Sequence, residues 1–371
     1  MVDYTGKRVL VTGATGFVGG RLAEHLTFSR QADLTLLIRD WRKAIWASRL
    51  PARLLDGDVT KPGSLGKAMA ECQIVFHCVG VGGDLETCMR VNHEGTLNVL
   101  KAAAAAGVER VVYLSSIAVH GPNPPDNADE RAPFVRTGSP YGDSKVAAEE
   151  ALGSFTAKTP LAVVTLRPTF VWGLGSPWFT LWPIRQMREG NWQLVDEGKG
   201  SCHAVHVDNL VHAMLLAGLA PGVAGEAFLV TDNQEGTWGE FFLNYARMLG
   251  GIHLSSVSST RKRGSFIRWV NRITKRIHEG LGNRMPNSRL VGLPFRVTRL
   301  MTRRMLRWCG TVPVFDDWDL IKYGRRGALN TRKATERLGY FPQITREEGM
   351  RITEAWLRDQ RLLPSRPGSE W

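Results

Sequence analysis

Cysteine is scarce: five in 371 residues, at Cys72, Cys78, Cys88, Cys202 and Cys309. None forms a C-x-x-C pair or joins histidines at metal-ligand spacing, so no metal site is expected, and the scatter suits a reducing cytosol. Long apolar runs are missing as well. No stretch approaches the ~20 residues that a membrane-spanning helix needs. The first apolar run, Val9 to Val11, is too short for a secretory signal and passes straight into glycines. Acid is missing from one place only. Residues 261–310 hold 14 Lys/Arg against a single Glu279, while the other 34 basic residues face 34 acids, so the net charge of +13 lies in that segment. No nucleic-acid motif accompanies the charge and no internal repeat is present, so nucleic acid is not expected as a partner. What remains is an ordinary globular composition, 43% hydrophobic and 22% charged, long enough for one large domain or two smaller ones.

The first 170 residues alternate apolar runs with helical patterns. "RVLVTG" (8–13), "LTLLIR" (34–39), "IVFHCVG" (74–80), "RVVYLSS" (110–116) and "LAVVTLRP" (161–168) are hydrophobic on both faces. Strands of that kind belong in a parallel sheet covered on both sides. Between them, Gly16 to Ser29, Cys88 to Ala106 and Tyr141 to Lys158 are predicted helices. The alternation predicts an α/β fold, a doubly wound parallel Rossmann sheet with a smaller, mostly helical C-terminal lobe. The sheet domain spans 1–170, completed by a helix in "HVDNLVHAMLLAGL" (206–219), a strand in "EAFLVTD" (226–232), the rest of 206–235 and part of the C-terminus. The substrate lobe takes 171–205 and 236–330, including the basic arm 261–310, and 331–371 forms a C-terminal helix and tail. That helix starts at a capping-box pattern, Thr345 and Glu348.

"VTGATGFVGG" places Gly13, Gly16 and Gly19 right after a strand and at the opening of a helix. Glycine is needed where the backbone turns tightly, approaches a pyrophosphate, or packs helix against strand. The helix N-terminus adds free N–H groups and a partial positive charge. Gly13, Thr15, Gly16, Phe17, Val18 and Gly19 are therefore the candidate dinucleotide loop. At the end of the second strand stands "IRDWRK", where an acid would hold the ribose hydroxyls of NAD. Arg39, with Arg42 and Lys43 behind it, suits a 2′-phosphate instead, so NADP is favoured over NAD, although Asp40 speaks for the latter.

Tyr141 and Lys145 stand four residues apart in "SPYGDSKVAAEE", on one face of a helix. Ser115 and Ser116 end the preceding strand, and Asn92 opens the helix before that strand. The set T-G-x-x-G-x-x-G, N-x-x-G-T, S-S, Y-x-x-S-K and "LRPTFVWG", in this order, resembles the extended branch of the short-chain dehydrogenase/reductase superfamily. That branch comprises the NAD-dependent epimerases and dehydratases together with 3β-hydroxysteroid dehydrogenase-like members, and "SSIAVHGPN" resembles the latter most. The likeness runs over nearly the whole chain, down to "RKATERLGYFPQITREEGM".

The resemblance implies a catalytic Tyr141, Lys145 and Ser116, with Ser115 the alternative serine. It implies that Asp58, with Val59, lies beside the adenine, that Lys145 binds the nicotinamide ribose, that Asn92 organises nearby backbone, and that Pro168 shapes the chain past the carboxamide. The chemistry fits these residue types. Hydride transfer at a carbinol carbon requires a proton to move on the adjacent oxygen, and a phenol with a pKa of ~10 needs a neighbouring ammonium to act as base near neutrality.

Two activities follow from the resemblance: a ketone/alcohol oxidoreductase on a sterol-like or acyl substrate, or a nucleotide-sugar epimerase or dehydratase. In the sugar enzymes an Arg commonly stands four residues before the "HV" histidine and grips the diphosphate. Here that position is Cys202, ahead of His206, which weakens the sugar alternative. Trp172, Trp178, Phe179, Trp182 and Trp192 either line a substrate pocket or form the lobe's own core. In the basic arm, "SFIRWVNRITKRIHEGL" alternates apolar and basic positions at helical spacing, which fits either packing on the lobe or peripheral contact with an anionic membrane. The likeness also raises a homodimer, since members of the branch are often dimers.

Overall fold

The computed structural model describes residues 2–260, 315 and 317–364; the basic arm 261–310, with Cys309, lies outside them. The strands are β1 (Arg8–Thr12), β2 (Asp33–Ile38), β3 (Arg53–Asp56), β4 (Ile74–His77), β5 (Arg110–Leu114), β6 (Ala162–Pro168), β7 (Phe170–Trp172), β8 (Gln193–Val195), β9 (Ala204–His206), β10 (Ala227–Val230) and β11 (Ser255–Val257). The helices are α1 (Phe17–Phe28), α2 (Gly66–Met69), α3 (Leu85–Cys88), α4 (Gly95–Ala105), α5 (Pro140–Thr156), α6 (Trp182–Arg188), α7 (Val207–Leu219), α8 (Trp238–Met248), α9 (Asp317–Gly324), α10 (Arg332–Leu338) and α11 (Arg346–Asp359). Seven strands form one parallel sheet in the order β10-β6-β5-β4-β1-β2-β3. The chain builds outward one way from β1 and the other way from β4. The switch point between them is where an open sheet of this kind binds ligands, beyond the strand ends.

Alternation along each strand explains the two-sided cover. In β1, Val9 and Val11 enter one buried cluster with α1 and α7, while Leu10 enters another with α4. Val112 and Val164 join the first cluster, and Val111 and Val163 the second. Each strand is thus apolar throughout because both of its faces are covered. β3 is the exception and escaped sequence reading. It is a four-residue edge strand with Arg53 and Asp56 exposed, so no apolar run marks it.

A third cluster fills the second lobe, joining Trp172, Trp192, Trp238, Phe241, Tyr245, Tyr323 and Leu357. Among the described residues this lobe also carries two short strand pairs, β7 with β9 and β8 with β11, both parallel. The Thr345 cap holds only half of its expected box. The Thr345 hydroxyl accepts from Glu348 N, but the Glu348 carboxylate accepts from Arg351 instead. The reciprocal box belongs to α8, where Glu240 N donates to Thr237 and Thr237 N donates to Glu240.

Candidate active site

The β1–α1 turn is built for close approach. Gly13 has φ +71°, and a Cβ there would stand 2.9 Å from the carbonyl carbon of Cys78, just past β4. A Cβ on Gly19 would stand 2.9 Å from the Gly13 carbonyl carbon. Gly16 caps α1 with no side-chain hydrogen bond and no acid in its first turn, so the N–H groups at Phe17 and Val18 face an uncapped helix end. Thr15, Phe17 and Val18 are half-buried, and Gly16 is exposed. The turn therefore offers backbone donors and lacks the side-chain bulk that would block a pyrophosphate.

At the end of β2, Arg39 is exposed and forms no ion pair among the described residues, whereas Asp40 is engaged. The Asp40 carboxylate accepts from Arg42 N at 3.2 Å, Arg42 Nε at 2.9 Å and Arg42 Nη2 at 3.1 Å. After β3, Asp58 Oδ1 accepts from the Thr60 amide and hydroxyl, leaving Oδ2 unengaged among the described residues. Val59 is buried, and its carbonyl accepts from Asn98.

Asn92 lies in a π-turn, Met89–Glu94, between α3 and α4. Fully buried, it accepts from Val81 N and donates to Val81 O and Ser144 Oγ, each at 2.9 Å. It ties the β4 loop to α5. Next door, His77 is held between Thr12 and Thr96, and burial followed by the Lys145 charge pushes its pKa down to about 3.

The two serines part company. Ser115 donates to Glu149, which is locked in a buried ion pair with Arg167 at 2.6 Å. Ser116 Oγ accepts from Ala118 N and lies against the Tyr141 phenol. Burial raises the Tyr141 pKa, and the hydrogen bond with Ser116 lowers it by less. Lys145 is also buried, and its ammonium donates to Leu114 O at 2.8 Å and Tyr113 Oη at 3.4 Å. Burial draws its pKa down to about 8 against the opposing pull of Glu149 and Cys78. No hydrogen bond joins Lys145 to Tyr141 among the described residues, so the expected ammonium–phenol pair shares a helix face without direct contact. Pro168 ends β6 opposite Val230, buried beside the same strand ends.

The structure thus brings Ser116, Tyr141, Lys145, Asn92 and the glycine loop to the strand ends around the switch point. Arg39 and Asp58 follow the neighbouring strands β2 and β3. Glu149, Arg167 and Tyr113 had gone unnoticed. The signal for Glu149 was present in its spacing, four residues beyond Lys145 on the same helix face.

A cavity opens beside the Ser116 turn, lined by Ile117, Ala118, Thr169 and Phe170. Of the expected aromatics, Trp172 and Trp192 are core, Phe179 and Trp182 pack against it, and Trp178 is 66% exposed. Cys202 is core as well, with burial pushing its thiol up to about 12. A larger polar groove between α8 and α11 shares no residue with this site.

Sheet order, glycine turn and the residues at the strand ends define a dinucleotide-binding protein of the doubly wound class. The sequence profile of the NAD dependent epimerase/dehydratase family matches residues 9–230, and the chain belongs to that family. It is accordingly an NAD-dependent enzyme of the extended short-chain type. It is similar to a 3-beta-hydroxysteroid dehydrogenase of Mycolicibacterium neoaurum, 26% identical over 383 residues, covering 92% of this chain and 89% of that one. It is equally similar to a 2-alkyl-3-oxoalkanoate reductase of Stenotrophomonas maltophilia, 26% identical over 361 residues, covering 94% and 98%. In fold it resembles MoeE5, solved in complex with UDP-glucose and NAD, with a TM-score of 0.68, 22% identity, and 95% and 99% of the two chains covered.

Proposed function

We propose that the protein interconverts a ketone and a secondary alcohol on a hydrophobic substrate, with Tyr141 as the proton carrier. The observation that supports this is the convergence of Ser116, Tyr141 and Lys145 at the strand ends, where Ser115 spends its hydroxyl on Glu149 and Ser116 does not. Ser116 holds the substrate oxygen, and Tyr141 gives or takes its proton. Lys145 supplies a positive charge on the same helix face and would donate to the ribose of a bound nicotinamide cofactor. The glycine turn and α1 would hold the pyrophosphate, Asp58 the adenine and Arg39 a ribose 2′-phosphate, so NADP is the preferred cofactor. The bound nicotinamide supplies or accepts the hydride. On this reading the sheet domain carries the cofactor and the second lobe the substrate.

Two observations favour this over nucleotide-sugar chemistry. Cys202, at the position of the diphosphate-gripping Arg, is buried in the lobe's core and has no charge to offer. Two of the relatives covered over most of their length are named for a hydroxysteroid and an alkyl-oxoalkanoate, both hydrophobic ketone or alcohol compounds, although a UDP-glucose 4-epimerase of Vibrio cholerae is also among the relatives. Tyr141→Phe tests the assignment, since it removes only the hydroxyl. Turnover with NADPH should fall at least a hundredfold, in line with general acid–base contributions of roughly 10²–10⁴, while NADPH affinity stays within about twofold. A mutant retaining more than a tenth of the wild-type rate removes Tyr141 from the role.

A further inference from the structure

The cavity beside the Ser116 turn has a second wall. Besides Ile117, Ala118, Thr169 and Phe170 it is lined by Trp318, Lys322 and Arg325, and no Asp or Glu is among its described lining residues. Lys322, on α9, keeps only 9% of its side chain exposed. Its ammonium donates to Asp319 at 2.6 Å and otherwise faces aromatic rings: Tyr323 at 4.2 Å, Trp318 at 5.2 Å, Phe170 and Phe179 at 5.8 Å. An ammonium has three N–H donors, and Asp319 takes one. Arg325 donates only to neutral carbonyls, those of Pro124, Pro125, Gly327 and Ala328. The Asp126 carboxylate, which draws on the Arg325 charge, is itself engaged by the Asn127 and Ala328 amides. Independently, the Trp318 indole N–H is buried with no acceptor among the described residues. Among the described residues donors outnumber acceptors here, and a buried donor without a partner is costly. Asp319 offsets Lys322, so the surplus charge on this wall is that of Arg325.

The geometry points to a carboxylate at this wall: the substrate is a hydrophobic oxo or hydroxy acid whose acid group is received by Lys322, Arg325 and Trp318. Ile117 and Ala118 directly follow Ser116 in the chain and line the same cavity. The acid therefore lies only a few bonds from the carbon that reacts, as in a 3-oxo acid. A neutral sterol would leave the donors unanswered. This inference rests on the oxidoreductase reading for the reacting carbon, but the acid-binding wall can be tested without turnover.

The test uses the full chain saturated with NADP⁺ and compares decanoate, methyl decanoate and UDP by calorimetry, in the wild type and in Lys322→Met. Alongside, oxidation of 3-hydroxydecanoate is compared with that of its methyl ester. The wild type should prefer each acid over its ester by roughly tenfold or more, the scale of a charge-assisted hydrogen bond. Lys322→Met should erase that preference, chiefly through the KM of the acid. Equal wild-type affinity for acid and ester overturns the inference and needs no variant. So does an acid preference untouched by Lys322→Met, or Lys322-dependent binding of UDP without any of decanoate. If decanoate binds through Lys322 but no alcohol is oxidised, the acid-binding wall stands and the oxidoreductase reading fails.

Discussion

Arg39 and Asp40 stand side by side after β2, and sequence alone could not say which of them meets a cofactor ribose. Their partners favour Arg39. Asp40 accepts three hydrogen bonds from Arg42, two of them from the guanidinium, so its carboxylate is already answered. Arg39 is exposed and unpaired among the described residues. Arg39→Asp should therefore move the NADPH-to-NADH affinity ratio toward NADH by about tenfold or more, the worth of a charge-assisted pair with phosphate. Fluorescence titration of both cofactors checks it, and a ratio that does not move abandons the NADP assignment. The serine ambiguity had the same origin. Two adjacent hydroxyls on a strand end point to opposite faces, and only the fold shows that Ser115 meets Glu149 while Ser116 accepts from the Ala118 amide. Residue types and spacing were legible; the hydrogen-bond partners, set by residues 18 to 34 positions away, were not.

Among the elements, strands covered on both faces announced themselves through unbroken apolar runs, and edge elements did not. β3 is half-exposed, and the short strands of the second lobe have three residues each, too few to show a period. Helix α1 was legible because its glycines obey a packing rule. Gly19 has no room for a methyl group against the Gly13 carbonyl, so Gly19→Ala must push α1 away from β1. Overpacking of this kind costs about 1–3 kcal/mol and would misplace the helix end beneath the pyrophosphate. Urea unfolding midpoints and NADPH affinity should both drop. Gly153→Ala on α5, where a Cβ meets nothing within 4 Å, serves as the neutral control. If the two variants behave alike, close packing at Gly19 is not what the loop depends on.

At the scale of the whole molecule, charge is partitioned. The described body is nearly neutral in composition, and the surplus of +13 sits in 261–310, outside the described residues. No helix among the described residues is long and apolar enough to cross a membrane. A segment so basic gains roughly 1 kcal/mol per Lys or Arg near an anionic leaflet. We expect the protein to co-sediment with phosphatidylserine-containing vesicles at low salt, to leave them at high salt, and to ignore purely zwitterionic ones. Equal recovery in the supernatant with both vesicle types would assign the segment no such role.

The second lobe's aromatic core carries a consequence for synthesis. Its members run from Trp172 to Leu363, with Leu357 of the last helix fully buried among them. Six of the seven sheet strands, by contrast, are complete by Pro168. A nascent chain leaving the ribosome can therefore assemble most of its sheet early. It must hold Trp172, Trp192, Trp238 and Phe241 uncovered until the final helix emerges. Any premature stop before α11 would yield a half-made protein with a ready sheet and an open aromatic face, a natural client for chaperones and a poor candidate for release.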